Sequence, residues 1–207
     1  MRREAVLKSS AARLWRMIEE RAKPGVDTAA LDQRIWDLFG EEWAIMFTDL
    51  AGFSRQVEAF GILHFLQVIH EQKLLLTPII ENNDGVLIKI EADSLLVLFK
   101  KPAVAIACAV EMQRACHAVN ARRAATEEVI LCVGLGFGRL LKVGDDDVFG
   151  HEVNLASKLG EDTADRHEIL ATHAVHAAVP EVPGVTWEQV AVRYVGETSA
   201  WRARYTG

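Results

Sequence analysis

Cysteine is scarce in this 207-residue chain: there are three, Cys108, Cys116 and Cys132, in apolar stretches and without metal-type spacing. That excludes a disulfide scaffold and predicts buried, reduced thiols, hence a cytoplasmic protein. Long apolar runs are also missing. None approaches the ~20 residues that a helix needs to cross a bilayer, and Arg13, Arg16, Glu19 and Glu20 interrupt any signal-peptide core. No membrane span is expected. Positive charge is in deficit, with 23 Lys and Arg against 29 Asp and Glu and a net charge of −6. This argues against a nucleic-acid partner, because a phosphate backbone rewards clustered cations. It does not exclude a nucleoside triphosphate, whose bound cations supply positive charge locally. Histidine patterns are poor as well: His70-Glu71 has no second His four residues after the first, and His173 and His176 have no Cys or acid nearby. Zinc chemistry is not indicated.

What is present is a chain half apolar, enough for one domain with a real core. Residues 3–22 read as a charged amphipathic helix with Leu7, Ala11, Leu14 and Ile18 on one side. After a break at Lys23-Pro24-Gly25-Val26, Asp27 can cap a second helix from Thr28 to Phe39. A strand is expected from Trp43 to Thr48. One long helix is expected from Arg55 to Glu81, with Phe60, Leu63, Leu66, Ile69, Leu74 and Ile79 as a buried stripe, stopped by Asn82-Asn83-Asp84-Gly85. Two strands then flank a turn at Glu91-Ala92. A helix from Val104 to Arg122 follows, then a strand from Val129 to Phe137 that passes through Gly138 into another. The third motif, described below, opens a helix at Gly150. A strand at Glu168–Thr172, a helix at His173–Ala178 and a β-rich end from Val185 to Tyr205 complete the chain. Strand, helix, two strands, helix, strand is the ferredoxin-like (βαββαβ) order of an α+β fold. The expected division is an N-terminal helical segment, 1–42, and a domain, 43–207, whose core carries C-terminal β additions.

Asp49 and Asp93 carry the most information. Each interrupts an apolar, strand-like run: Ala44-Ile45-Met46-Phe47-Thr48-Asp49-Leu50-Ala51-Gly52-Phe53-Ser54, and Val86-Leu87-Ile88-Lys89-Ile90-Glu91-Ala92-Asp93-Ser94 through Phe99. A buried acid is costly unless it is paired, hydrogen-bonded or bound to a cation. Two on neighbouring strands make a ready site for Mg²⁺, which takes oxygen ligands and shares them with phosphates. Gly52, Phe53 and Ser54 open a helix, so their N–H groups can face phosphate oxygens.

The first of these stretches matches Phe-x-Asp-Leu-x-Gly-Phe-Ser/Thr, and there the chain resembles the class III nucleotidyl cyclases. The likeness runs from about Trp43 to about Arg202 and includes Asp145-Asp146-Asp147-Val148-Phe149-Gly150-His151-Glu152-Val153-Asn154-Leu155-Ala156-Ser157-Lys158-Leu159 as a third block. The resemblance implies that Asp49 and Asp93, with the Leu50 carbonyl, hold two divalent cations, Mg²⁺ or Mn²⁺. It also implies that Lys89 and Asp147 read the adenine of ATP, that Asn154 orients the ribose, and that Lys158 stabilises charge on the phosphate. It implies a homodimer with shared sites. Asn154 and Lys158 are four apart, hence on one helix face.

Three positions depart from the family pattern. Lys158 replaces an Arg and loses its bidentate fork. Ala92 stands for the usual Gly before Asp93, and the preceding Glu91 either crowds that turn or brings a third acid near the metals. No Lys-Gly pair supplies the C-terminal triphosphate lysine; Val195-Gly196 stands there, with Arg193 as the nearest substitute. The resemblance therefore implies an adenylate cyclase, active or weakly active. The rival reading is a degenerate cyclase-like module that binds nucleotide and regulates without turnover. A diguanylate cyclase is excluded by Ile90-Glu91-Ala92-Asp93, which lacks that family's hairpin motif.

Overall fold

In a computed structural model of the chain, which describes residues 10–194 and 196–206 apart from the side chains of 53–56, 193 and 194, the run ahead of Asp49 is the long strand β1 (Gly40–Leu50). It extends beyond the expected Trp43–Thr48 at both ends. The reason is its partner, β4 (Leu131–Val143), which pairs with it antiparallel from Gly40↔Leu141 to Leu50↔Leu131, so that even the exposed Glu41 and Glu42 lie in the ladder. β2 (Val86–Glu91) and β3 (Ser94–Phe99) form the hairpin around Ala92-Asp93, and β3 pairs with the other side of β1. The order β2-β3-β1-β4 is the ferredoxin-like core.

The sheet continues through β6 (Ile169–Ala171), parallel to β4, and the C-terminal hairpin β7 (Val185–Tyr194) and β8 (Glu197–Tyr205). The expected second strand after Gly138 is instead a continuation of β4, and the chain returns in the short β5 (Asp147–Phe149), paired only to the far end of β4.

Alternation along β1 and β3 gives each face its own core. Ala44, Met46, Leu95, Val97 and Phe99 are buried beneath the helices α4 (Ile62–Asn82) and α5 (Pro102–Asn120). Ile45, Leu96 and Leu98 face the other way, against Val148 and the helix α6 (His151–Ser157). Asp49 shares the parity of Ile45 and Phe47, so the first acid lies on the α6 face.

The single helix expected over 55–81 is two. α3 (Phe53–Phe60) ends at Gly61, whose φ of +84° is open to glycine and strained for other residues, and α4 starts anew at Ile62. The reset rotates the buried stripe. Phe65, Val68, Ile69, Gln72, Leu76, Ile79 and Ile80 face the sheet, whereas Leu63 and Leu74 are 79% and 64% exposed and Phe60 and Leu66 are about half exposed.

The expected N-terminal helix is seen as α1 (Ser10–Arg21); the beginning of the 3–22 range lies outside the described residues. α2 (Thr28–Phe39) is capped by the Asp27 carboxylate, which accepts from the Ala30 N–H at 3.0 Å, and runs directly into β1. The three cysteines are buried and free, with thiols pushed up to about 12 by burial. Among the described residues no helix is long and apolar enough to cross a membrane.

Candidate active site

Asp49 sits at the end of β1 opposite Cys132, and Asp93 in the β2–β3 turn; the turn brings the two carboxylates together. Asp93 is 9% exposed. Burial and, after it, the Asp93 charge together push the Asp49 carboxyl up to about 7. Burial also raises Asp93. The Leu50 N–H offsets part of this for both acids, and the Ser94 hydroxyl donates to Asp49 at 3.3 Å. Behind the turn, the buried Gln72 amide donates to the Asp93 carbonyl at 2.9 Å, anchoring the hairpin to α4. Thr48 accepts from the Leu95 N–H at 3.3 Å and ties β1 to β3 beside Asp49.

Two like charges held together at partial burial, with hard oxygen donors, fit a divalent cation. Among the described residues no three His, Cys, Asp or Glu side chains stand together as a metal-binding group. Asp49 and Asp93 are therefore a pair without a third acidic, His or Cys partner among the described residues.

Lys89, on β2, and Asp147, on β5, are 58 residues apart in sequence and meet at 2.8 Å. They line a small cleft of about 100 Å³, open to solvent, together with Phe47, Glu91, Ser94, Leu96 and Glu161. The Glu91 carboxylate lies 3.6 Å from the Lys89 ammonium. Asp147 and Glu91 hold the Lys89 ammonium above its ordinary value, Asp147 most strongly. Ser94 belongs to both places, lining the cleft and donating to Asp49.

Asn154 lies exposed on α6. The helix approaches the sheet closely because β4 carries glycine at alternate positions: a Cβ on Gly134 would meet the Ala156 carbonyl oxygen at 2.1 Å, and one on Gly136 the Glu152 oxygen at 2.5 Å. Glu152 anchors α6, accepting from the Phe137 N–H at 3.1 Å and the Thr172 hydroxyl at 2.7 Å. α6 stops at Ser157 and the chain widens into a π-helical turn, Lys158–Thr163. The Lys158 N–H still bonds the Asn154 carbonyl, so the two remain one turn apart. The Lys158 ammonium is paired with Asp162, which raises its pKa.

Gly52, at φ +92°, is exposed and precedes α3. Phe53 and Ser54 supply the first backbone N–H groups of that helix. Their side chains, like that of Arg193, lie outside the described residues. Sequence reasoning missed Ser94, Glu152 and Glu161, on or beside the motifs, and Gln72 on α4. The position of Gln72 among the apolar residues of that helix was the one readable signal.

A family model described as the adenylate and guanylate cyclase catalytic domain matches residues 40–199. A curated relative named "Putative adenylate cyclase 3", from Rhizobium meliloti (strain 1021), is 29% identical over 136 residues, which are 66% of this chain and 23% of that protein. The chain thus matches under a quarter of that relative's length. Among solved structures, the guanylyl cyclase Cya2 superposes with a TM-score of 0.68 at 21% identity, covering 81% of this chain and 94% of that one. The adenylyl cyclase CyaB from P. aeruginosa gives 0.63 at 18% identity, covering 81% and 96%. With the family match spanning most of its length and the same α+β fold, this chain belongs to the adenylate and guanylate cyclase catalytic domain family.

Proposed function

We propose that this cyclase domain is an adenylate cyclase, converting ATP to 3′,5′-cyclic AMP and pyrophosphate at sites shared across a homodimer. The observation that carries the reading is the Lys89–Asp147 pair at 2.8 Å in an open cleft. A lysine N–H and a carboxylate side by side complement the adenine N1 acceptor and amino donor. Guanine presents the reverse polarity there.

Two divalent cations, Mg²⁺ or Mn²⁺, held by Asp49, Asp93 and the Leu50 carbonyl, would when bound make the ribose 3′-hydroxyl more acidic and neutralise the departing pyrophosphate. The 3′-oxygen attacks the α-phosphorus as its proton passes to water. The bond to the β-phosphate oxygen breaks, and pyrophosphate carries the charge away. Asn154 orients the ribose, and the Lys158 ammonium stabilises charge on the phosphate after leaving Asp162. The N–H groups of Gly52, Phe53 and Ser54 bind phosphate oxygens. In the shared arrangement, Asp49 and Asp93 of one protomer act with Lys89, Asp147, Asn154 and Lys158 of its partner. The buried free thiols fit a reducing compartment, and the protein is proposed to act in the cytoplasm.

Incubation with ATP and Mn²⁺, and in parallel with GTP, tests the proposal. Cyclic AMP and pyrophosphate in equal amounts, with little cyclic GMP, are expected. Equal rates with both nucleotides would overturn the base assignment. A second reading draws on two features, the pairing of Lys158 with Asp162 and the positive φ of Ala92 before Asp93. Both favour a regulatory module that binds nucleotide without turnover. Tight ATP binding with no product would establish that reading instead.

A further inference from the structure

The N-terminal helices grip one hairpin of the sheet, and it is the hairpin that carries Asp147. Leu14 and Met17 of α1, with Leu31, Ile35 and Phe39 of α2, bury Leu141 and Val143 at the far end of β4. Those two residues are the partners of β5: Leu141 pairs with Phe149 and Val143 with Asp147. A second contact reaches β5 directly. The Trp15 ring stands edge-on to Phe149, with centroids 6.2 Å apart and planes at 77°, the favourable edge-to-face geometry. A third holds the approach to the hairpin, where the Arg139 guanidinium lies 4.9 Å over the Trp36 ring of α2.

β5 needs such support. It has three residues and, among the described residues, pairs with β4 alone, so no second strand holds its other edge there. Short elements with few backbone hydrogen bonds open locally at low cost. Val148, the middle residue, is buried against the sheet, but Phe149 is 39% exposed and Trp15 is 54% exposed, and each shields the other. Asp147 starts this strand and must stay within hydrogen-bond reach of Lys89 across the cleft.

We infer that Trp15 and Phe149 are positioning residues: through their ring contact α1 holds β5 in place and thereby fixes Asp147 opposite Lys89. The N-terminal helices are then part of the base-reading apparatus, and movement of α1 changes nucleotide affinity. This rests on the reading of Asp147 as the acceptor for adenine, and the experiment separates the two ideas.

Hydrogen exchange and steady-state kinetics would be measured on the full chain and on Trp15→Ala, Trp15→Phe and Ile18→Ala. Ile18 is exposed on the same helix and serves as control. Trp15→Ala leaves the buried Leu14 and Met17 in place. It is expected to speed exchange at 147–149 by about two- to tenfold, the worth of one aromatic pair. Exchange in β1 should not change. The KM for ATP should rise by a similar factor with kcat unchanged, and Trp15→Phe should restore both. Ile18→Ala should do nothing. Unchanged exchange at 147–149 would overturn the inference. So would faster exchange throughout α1, α2 and β4 that Trp15→Phe does not correct, since the role would then be merely structural. Asp147→Asn decides the adenine reading separately. If it leaves the preference for ATP intact, the acceptor role falls, while exchange at β5 still decides whether Trp15 positions that strand.

Discussion

Asp49 and Asp93 meet with like charge at partial burial, whereas Lys89 and Asp147, on the same side of the sheet, meet with opposite charge and about a third of each side chain exposed. The first pair is unfinished: its charge must be neutralised by a proton or a cation. The second is already satisfied, and an exposed pair of this kind is worth only about 0–1 kcal/mol, so a ligand separates it at little cost. In the proposed reading the acid end supplies affinity for cations and phosphate, and the Lys89–Asp147 end supplies discrimination between bases.

The largest expected effect comes from breaking the acid end. Asp49→Asn and Asp93→Asn should each lower turnover by at least about 10²–10³-fold, the scale for removing one preorganised electrostatic group. The same substitutions should raise the melting temperature of the metal-free protein at neutral pH, because they remove like-charge repulsion. Loss of activity together with a lower melting temperature would mean that the acids hold the fold rather than cations.

At the other end, exchanging the donor and acceptor alters preference and leaves chemistry in place. With Lys89→Glu, the ratio of kcat/KM for ATP to that for GTP should fall by about 5–150-fold, the equivalent of 1–3 kcal/mol for one mismatched buried polar group. An unaltered ratio would remove Lys89 from base recognition.

Whether the two ends serve one nucleotide within a protomer or across a dimer is decided by mixing inactive variants. Asp49→Ala and Asn154→Ala should each be inactive as homodimers. After subunit exchange, about half the dimers are mixed, and each has one intact site if sites are shared, which restores about a quarter of wild-type activity. No recovery despite proven exchange would show that each protomer uses its own two ends.

The acid end should also be visible in pH dependence without turnover. Asp49 titrates at about 7 in the folded protein against an ordinary 3.8, so the folded form holds the extra proton between those values. Stability from this group is full below the lower value and is lost as pH rises through about 7. With solvent screening allowed for, the loss is on the order of 1–2 kcal/mol. Millimolar Mn²⁺ should therefore raise the melting temperature more at about pH 8 than at about pH 5.5, and Asp49→Asn should flatten the difference.

The ends also differed in how they could be read. Asp49 and Asp93 stand out because a carboxylate inside an apolar strand has few explanations. Lys89 and Asp147 are ordinary surface residues until the fold joins them, and only the family pattern paired them. Glu152, Gln72 and Ser94 escaped notice because each serves a backbone group or a neighbouring acid, and such partners exist only in three dimensions. The break at Gly61 was hidden by leucines that continue a helical period across it, although Leu63 and Leu74 face solvent. The strand order was legible because alternation and turn residues are local signals.

The smallest effect lies in the turn that presents Asp93. Ala92 has φ +50° and is the first of the two residues joining β2 to β3, where a two-residue hairpin favours glycine. A side chain in this left-handed region costs about 1–2 kcal/mol. Glycine removes that cost but loses about 0.5–1 kcal/mol to its greater freedom in the unfolded chain. Ala92→Gly should therefore stabilise the protein by no more than about 1.5 kcal/mol, a rise of at most about 3–6 °C for a chain of this size. The comparison between the ends adds a second readout. If the turn is strained only by Ala92, Mn²⁺ affinity should hold or improve as the hairpin relaxes, while the ATP-to-GTP ratio, which the proposed reading sets at Lys89 and Asp147, stays unchanged. A fall in melting temperature would show that Gln72 and the hairpin together prefer the strained conformation, and that Ala92 contributes to holding Asp93 against Asp49.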